Sequence, residues 1–183
     1  MVKRRTERQR GGPRPDPAQE IDADRVRAEI AAAWEDDPAP GTIAPHCERP
    51  DCPAVAAYFS GKTWRDVKIG AMRAAAGASA DDPLPFLPPA AARHFLPAFL
   101  LAFLHDPRSL GDFAAPLVRT LCPHEGWRAL ANTLAPTQQR AVLSFLRHVQ
   151  RTGYRAPEVT EGIRFWERRT AGEAPQAANV TET

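Results

Sequence analysis

Two cysteines and a histidine stand close together in a segment punctuated by proline, and this is the part of the chain best suited to chemistry. The segment spans residues 46–53 and reads HCERPDCP. Zinc prefers thiolate and imidazole ligands, and two of its ligands are commonly separated by two to four residues. Four residues separate Cys47 from Cys52, so this pair lies at the upper limit of that spacing.

A tetrahedral zinc site needs two further ligands, and the sequence offers one other suitable pair. Cys122 and His124 are separated by one residue in a second predicted loop. One interpretation is therefore a zinc ion held by Cys47, Cys52, Cys122 and His124, which requires the two loops to meet in space. The alternative is that the cysteines are small, partly buried apolar residues, as free cysteines usually are.

The same residues could serve a thiol-dependent enzyme. A cysteine nucleophile needs a thiolate, favoured by a helix N-terminus or a nearby cation, and an imidazole within reach. Cys52 is predicted to lie at such an N-terminus with Arg49 nearby, but no histidine stands at a recognised spacing from a cysteine. The missing catalytic constellation favours a non-enzymatic, regulatory or immunity-like module that binds another protein, with the metal- or thiol-dependent enzyme as the alternative.

The surface predicted for such a protein partner comprises the loop around the cysteine pair and a second loop around Trp127. Aromatic and arginine side chains contribute most of the binding energy at protein interfaces. The candidate residues are His46, Arg49, Trp127 and Arg128.

Positive charge is concentrated at the N-terminus, although the whole chain carries a formal net charge of only +2. Such an arm could displace counterions from a nucleic-acid backbone, but it contains no aromatic residue to stack on bases, and a solvated tail is the alternative. Apart from Met1, residues 1–20 contain no apolar side chain larger than valine, so we predict that they are disordered. The cations of the arm are Lys3, Arg4, Arg5, Arg8, Arg10 and Arg14.

The bulk properties favour a cytoplasmic protein. The three cysteines make an odd number, and no apolar segment near the N-terminus is typical of a signal peptide. The longest apolar run, Phe95 to Leu104, is ten residues long. A membrane-spanning helix needs about 20, so the run predicts a buried core helix and no association with a membrane.

The elements that position these residues are all predicted to be helices. The central helix should run from Pro89 to His105, and the segment 95–104 is apolar on every face, as in a helix surrounded by others. Pro97 removes one amide donor and frees the carbonyl of Arg93, so we predict a kink there. No alternating segment is long enough to predict a strand.

The other helices follow from local signals. A first helix is predicted from Asp22 to Glu35, a short turn from Trp127 to Leu134, and a long helix with one apolar stripe from Pro136 to Gly153. The sequence thus predicts an all-α fold, a single compact domain of six or seven helices around the Pro-kinked central helix. This domain spans residues 21–172, between the arm of residues 1–20 and a disordered tail of residues 173–183.

A short glycine-lysine-threonine segment is similar to the end of a phosphate-binding loop. The full pattern requires a glycine at position 56, where this chain has Ala56, and a strand where a helix is predicted. We therefore interpret Gly61 as a helix end and Thr63 as a helix cap.

Several of these landmarks occur together, in an order that resembles a family of small bacterial proteins of unknown function. They are the histidine with its two cysteines, the FxGKxWxD pattern at residues 59–66, the FLPAFLL segment at 95–101 and the PxQxR pattern at 136–140. The resemblance covers residues 25–150 and implies a helical fold and a bacterial cytoplasm. It implies no mechanism, because the family has no assigned activity. The family's cysteines are closer together than Cys47 and Cys52, so the resemblance does not imply a shared metal site.

Overall fold

The computed structural model describes residues 17–76, 83–107, 110, 114–122, 125–153 and 157–172. Within these ranges there are eight α-helices and no strand, which confirms the all-α prediction and exceeds the expected number of helices. The helices are α1 (Pro17–Ala33), α2 (Cys52–Phe59), α3 (Ile69–Ala76), α4 (Pro89–His105), α5 (Ala114–Thr120), α6 (Glu125–Thr133), α7 (Pro136–Arg151) and α8 (Pro157–Thr170). Two 3-10 turns occupy Trp64–Asp66 and Leu84–Phe86.

Helix α4 lies at the centre of the molecule and has the predicted limits, Pro89–His105. Phe99 and Leu100 are completely buried, and Phe103 is almost so. The helix packs against α1, α6 and both 3-10 turns. Its apolar character on every face is thus explained by neighbours on several sides.

Pro97 interrupts the hydrogen bonds within α4 and leaves a carbonyl that accepts a hydrogen bond from another part of the chain. Because proline has no amide hydrogen, the carbonyl of Arg93 has no donor within the helix. The indole Nε1 of Trp34 donates to this carbonyl oxygen at 2.8 Å. Trp34, at the end of α1, is itself fully buried, so the hydrogen bond ties α1 to the centre of α4.

Helices α7 and α8 form the other half of the core. The predicted stripe on α7 is buried without exception: Val142, Phe145, Leu146 and Val149. On α8, Gly162 lies so close to the segment after α5 that a Cβ atom there would be 2.8 Å from Cys122 Sγ. Trp166 donates from Nε1 to the carbonyl of Leu121 at 2.7 Å. These contacts seat α8 against both α7 and the end of α5.

Three of the predicted helix starts differ from the structure. Helix α1 begins at Pro17 and not at Asp22, so residues 17–20, assigned to the disordered arm, are helical. Proline is favoured in the first turn of a helix, which accounts for the earlier start. Helix α6 begins at Glu125, so Trp127 lies in a helix and not in a loop.

The third difference concerns the helix predicted to restart at Thr63. The backbone amide of Thr63 donates to the carboxylate of Asp66 at 2.9 Å, which is one of the two bonds of a capping box, and the Thr63 hydroxyl donates to the same oxygen at 2.7 Å. The turn ends after three residues, because Val67 is extended, and α3 begins only at Ile69. Gly61 has a φ of +71°, which confirms its interpretation as a helix end.

The ends of the chain, residues 1–16 and 173–183, lie outside the described residues, and so do the predictions of disorder that concern them. None of the helices in the described ranges is both long enough and apolar enough to cross a membrane.

Candidate functional site

The cysteine loop folds back on the first residue of α2. Cys52 is completely buried, and its Sγ accepts hydrogen bonds from the backbone amides of His46 and Cys47, both at 3.1 Å. The same sulfur donates to the carbonyl of Phe86 at 3.6 Å. Cys52 therefore holds the loop of residues 46–51 against the 3-10 turn Leu84–Phe86.

These contacts shift the two thiols in opposite directions. Burial opposes ionisation of Cys52, but hydrogen bonds from the Cys47 side chain and from the amides of Cys47 and His46 lower its pKa below the usual value. The pKa of Cys47 is raised, first by its hydrogen bond with Cys52 and then by burial. Ionisation of one thiol therefore disfavours ionisation of the other.

Two residues of the predicted partner surface belong to this loop. His46 and Arg49 are both exposed. The guanidinium of Arg49 lies over the ring of Phe86, 4.6 Å from its centre, so Arg49 also fastens the loop to the 3-10 turn. On α6, Arg128 is exposed, whereas the side chain of Trp127 lies outside the described residues.

Cys122 lies in a different environment, between the end of α5 and α8. Its Sγ donates to the carbonyl of Val118 at 3.2 Å and faces Gly162. Burial raises the pKa of Cys122 to about 12. This setting, between Val118 on α5 and Gly162 on α8, gives Cys122 a packing role.

Nothing in the described ranges supports the zinc prediction. Cys47 and Cys52 are brought together, but no group of three or more metal-ligating side chains occurs within the described ranges. His124 lies outside those ranges, so the four-ligand site stays a prediction. The same holds for nucleic-acid binding by the arm, because all six of its cations lie within residues 1–16.

A groove that the sequence did not reveal lies where α1, the end of α4 and the end of α7 meet. Its volume is about 640 Å³, within the range of roughly 300–1,000 Å³ that is typical of ligand pockets. Apolar residues from α1 and α4 contribute to its wall, and ionisable residues from all three helices surround them. The lining residues are Gln19, Glu20, Ala23, Arg27, Phe103, Leu104, His105, Pro107, His148 and Thr152.

His148 is the most firmly held polar residue of this groove. Its Nδ1 is 2.7 Å from Oδ2 of Asp22, which also accepts from Arg151 at 2.6 Å. Burial opposes ionisation of Asp22, but hydrogen bonds from Arg151, Arg25 and His148 outweigh it and hold the pKa of this carboxyl well below its usual range. Because Asp22 is ionised, Nδ1 carries a hydrogen, and Nε2 is the nitrogen available to a ligand.

Arg27 completes the wall of the groove on the α1 side. Its guanidinium donates to the carbonyl of Leu104 at 2.5 Å and also pairs with Asp24. Leu104 lies in the last turn of α4, where carbonyl groups lack helical partners. Arg27 thereby links α1 to the end of α4 beside the groove.

A second histidine-carboxylate pair shows why His148 stands out. Asp37 binds His94 Nδ1 at 2.8 Å, Arg93 at 3.1 Å and Gln138 at 3.4 Å. The other ring nitrogen of His94 accepts a hydrogen bond from the backbone amide of Trp64 at 3.2 Å. Both nitrogens of His94 are therefore occupied, and this pair joins parts of the core. For Nε2 of His148, by contrast, no hydrogen-bond partner exists among the residues that the structure describes.

Comparisons with family models, curated proteins and solved structures find no match to this chain. The resemblance to a family of small bacterial proteins therefore stays a prediction.

Proposed function

We propose that this chain is a non-enzymatic module that binds another protein, and that a segment of the partner occupies the groove between α1, α4 and α7. The observation that carries the proposal is the cavity of about 640 Å³ with His148 fixed at its edge by Asp22. A groove of this size accommodates a few side chains of a partner segment.

The chemistry of the groove favours recognition over catalysis. Thr152 is the hydroxyl-bearing residue of the lining, and its Oγ1 donates to the carbonyl of Val149 at 2.9 Å, so it is not presented as a nucleophile. The two cysteines that interact with each other belong to the α2 loop and do not line this groove. A fixed imidazole beside an apolar wall is well suited to orient a bound segment.

The lining also indicates the kind of segment that would bind. Ala23, Phe103 and Leu104 offer a surface for an apolar side chain. His148 offers Nε2 to a polar group next to that side chain. We therefore propose that the partner presents an apolar anchor flanked by a hydrogen-bonding group, a common pattern at protein interfaces.

A displayed peptide library tests this proposal for a partner segment of any sequence. Peptides are selected on the wild-type chain, and their affinities are then measured for Gln19→Trp, which places a large ring at the groove. The matched control is Ile21→Trp on the same helix, because Ile21 is 72% exposed and does not line the groove.

We expect Gln19→Trp to weaken the selected peptides about tenfold or more, since a ring that fills part of a pocket excludes its ligand, and Ile21→Trp to leave them unchanged. Equal affinities for wild type and Gln19→Trp, or failure to select any peptide, would contradict the proposal.

A further inference from the structure

We propose that Cys47 and Cys52 form a reversible disulfide site that exchanges with small-molecule disulfides such as oxidised glutathione. This proposal is independent of the groove and concerns a pair of thiols that the proposed binding function does not use.

The backbone already brings the two residues together. The amide nitrogen of Cys47 is 3.1 Å from Cys52 Sγ, and the Cys47 side chain branches from the next atom of the chain. A disulfide needs its Cβ atoms about 3.8 Å apart, and a pair joined in this way needs only a side-chain rotation and a small loop adjustment to reach that geometry.

The two cysteines differ in accessibility, and this assigns their roles. Cys47 is half-buried and can meet a small disulfide from solvent, whereas Cys52 is completely buried. In the first step the thiolate of Cys47 attacks one sulfur of the small disulfide, expels one thiolate and forms a mixed disulfide. In the second step the thiolate of Cys52 attacks the sulfur of Cys47 and expels the second small thiolate.

The electrons and protons balance in this exchange. The two cysteines lose two electrons and become a disulfide, and the small disulfide gains them and becomes two thiols. The two protons released by the cysteines are taken up by the two departing thiolates. The reverse sequence, begun by a small thiolate, restores both cysteines.

The surroundings of Cys52 suit the second step. Its sulfur, at the start of α2, accepts hydrogen bonds from the backbone amides of His46 and Cys47. The positive charge of Arg49 also favours the ionised form of this sulfur. Such hydrogen bonds stabilise a thiolate both when it attacks the mixed disulfide and when it leaves during reduction. Cys122 lacks these features, because its sulfur donates to Val118 and burial raises its pKa to about 12.

The experiment uses the full-length reduced chain in buffers of graded reduced and oxidised glutathione, with acid quenching, alkylation of free thiols and mass spectrometry. Because Arg49 precedes a proline, trypsin leaves residues 28–62 as one peptide that contains both cysteines. After oxidation we expect this peptide to be lighter by two hydrogen atoms and to carry no alkyl group on either cysteine. Reduced glutathione should restore both free thiols.

Three variants distinguish the roles. Cys122→Ser should cyclise like the wild type, and Cys47→Ser should not cyclise at all. Cys52→Ser should accumulate glutathione on Cys47, because the resolving thiol is missing. The wild-type chain should also cyclise about tenfold faster when folded than in concentrated urea, since the fold holds the sulfurs together.

A folded wild-type chain that keeps all its thiols in oxidised glutathione would overturn the proposal. So would a disulfide that involves Cys122, or a rate of cyclisation that is the same with and without urea.

Discussion

His148 and Asp22 are separated by 126 positions in the sequence, and their side chains meet at 2.7 Å between Nδ1 and Oδ2. This contact joins α7 to α1 and fixes the orientation of an imidazole at the edge of a groove. In another histidine-carboxylate pair, His94 with Asp37, both ring nitrogens of the histidine form hydrogen bonds inside the core. The His94–Asp37 pair thus joins parts of the core, whereas the His148–Asp22 pair presents a ring nitrogen to the groove.

The first prediction concerns the contribution of Asp22 to stability. Asp22→Asn should lower the free energy of unfolding at pH 7 by about 1 kcal/mol, a value reduced because the ion pairs with Arg25 and Arg151 are partly exposed. Urea unfolding of both chains measures this difference. An unchanged stability would show that the contact contributes nothing.

The second prediction is the pH dependence of that difference. Because the pKa of Asp22 is lower in the folded than in the unfolded chain, its contribution is present above the unfolded value of about 3.9 and is lost as the pH falls through the folded value. The gap in stability between wild type and Asp22→Asn should therefore shrink when unfolding is measured at successively lower pH, from pH 5 downward. A gap that widens on acidification would mean that the sign of the pKa shift is wrong.

The third prediction concerns the defect at Pro97. Trp34→Phe removes the donor to the carbonyl of Arg93 and should cost about 1–2 kcal/mol, because a buried acceptor loses its partner. In a Pro97→Ala background the restored amide at position 97 can satisfy the same carbonyl, so Trp34→Phe should cost less there. Urea unfolding of the two single variants and the double variant measures this coupling. Additive costs would contradict the role assigned to the proline.

The fourth prediction concerns Gly162. A Cβ atom at this position would be 2.8 Å from Cys122 Sγ and 3.2 Å from Leu146. Gly162→Ala should therefore destabilise the chain by about 1 kcal/mol, since overpacking of about 1–3 kcal/mol exceeds the helix preference for alanine of about 1 kcal/mol. The double variant Gly162→Ala with Cys122→Ala should recover stability in thermal unfolding. A stabilising Gly162→Ala would show that the sulfur moves aside at no cost.

The fifth prediction concerns zinc. Because the sulfur of Cys122 is buried, donates to the carbonyl of Val118 and packs against Gly162, we expect the chain purified without a chelator to contain less than stoichiometric zinc by elemental analysis. One zinc per chain that disappears in both Cys122→Ala and His124→Ala would establish the four-ligand site and contradict the packing role.

Local patterns in the sequence are sufficient for much of the fold. Pro89 and His105 bound the central helix as expected, and the stripe on α7 and the turn at Gly61 follow from spacing and backbone preference alone. Each of these signals is contained within a few residues. The start of α1 at Pro17 lies where apolar patterning is weak, and the start of α6 consists of Glu125 and Gly126, which give no apolar signal of a helix.

The groove cannot be found in this way, because it depends on contacts between distant segments. Asp22 and His148 are 126 positions apart, and nothing in the sequence connects the two. The predicted cysteine loop is closer to the structure, because Cys47 and Cys52 are neighbours in the chain. The hydrogen bonds from the loop amides to the sulfur of Cys52, however, depend on how the loop folds over α2.

The most direct test of the proposed binding function is methyl NMR of the labelled chain titrated with a peptide selected on it. We expect the methyl signals of Ala23 and Leu104, which line the groove, to shift and to show contacts with the peptide. The methyl signals of Val55, buried in α2 beside the cysteine loop, should stay in place. Shifts confined to Val55 and its neighbours, with Ala23 and Leu104 unchanged, would contradict the account.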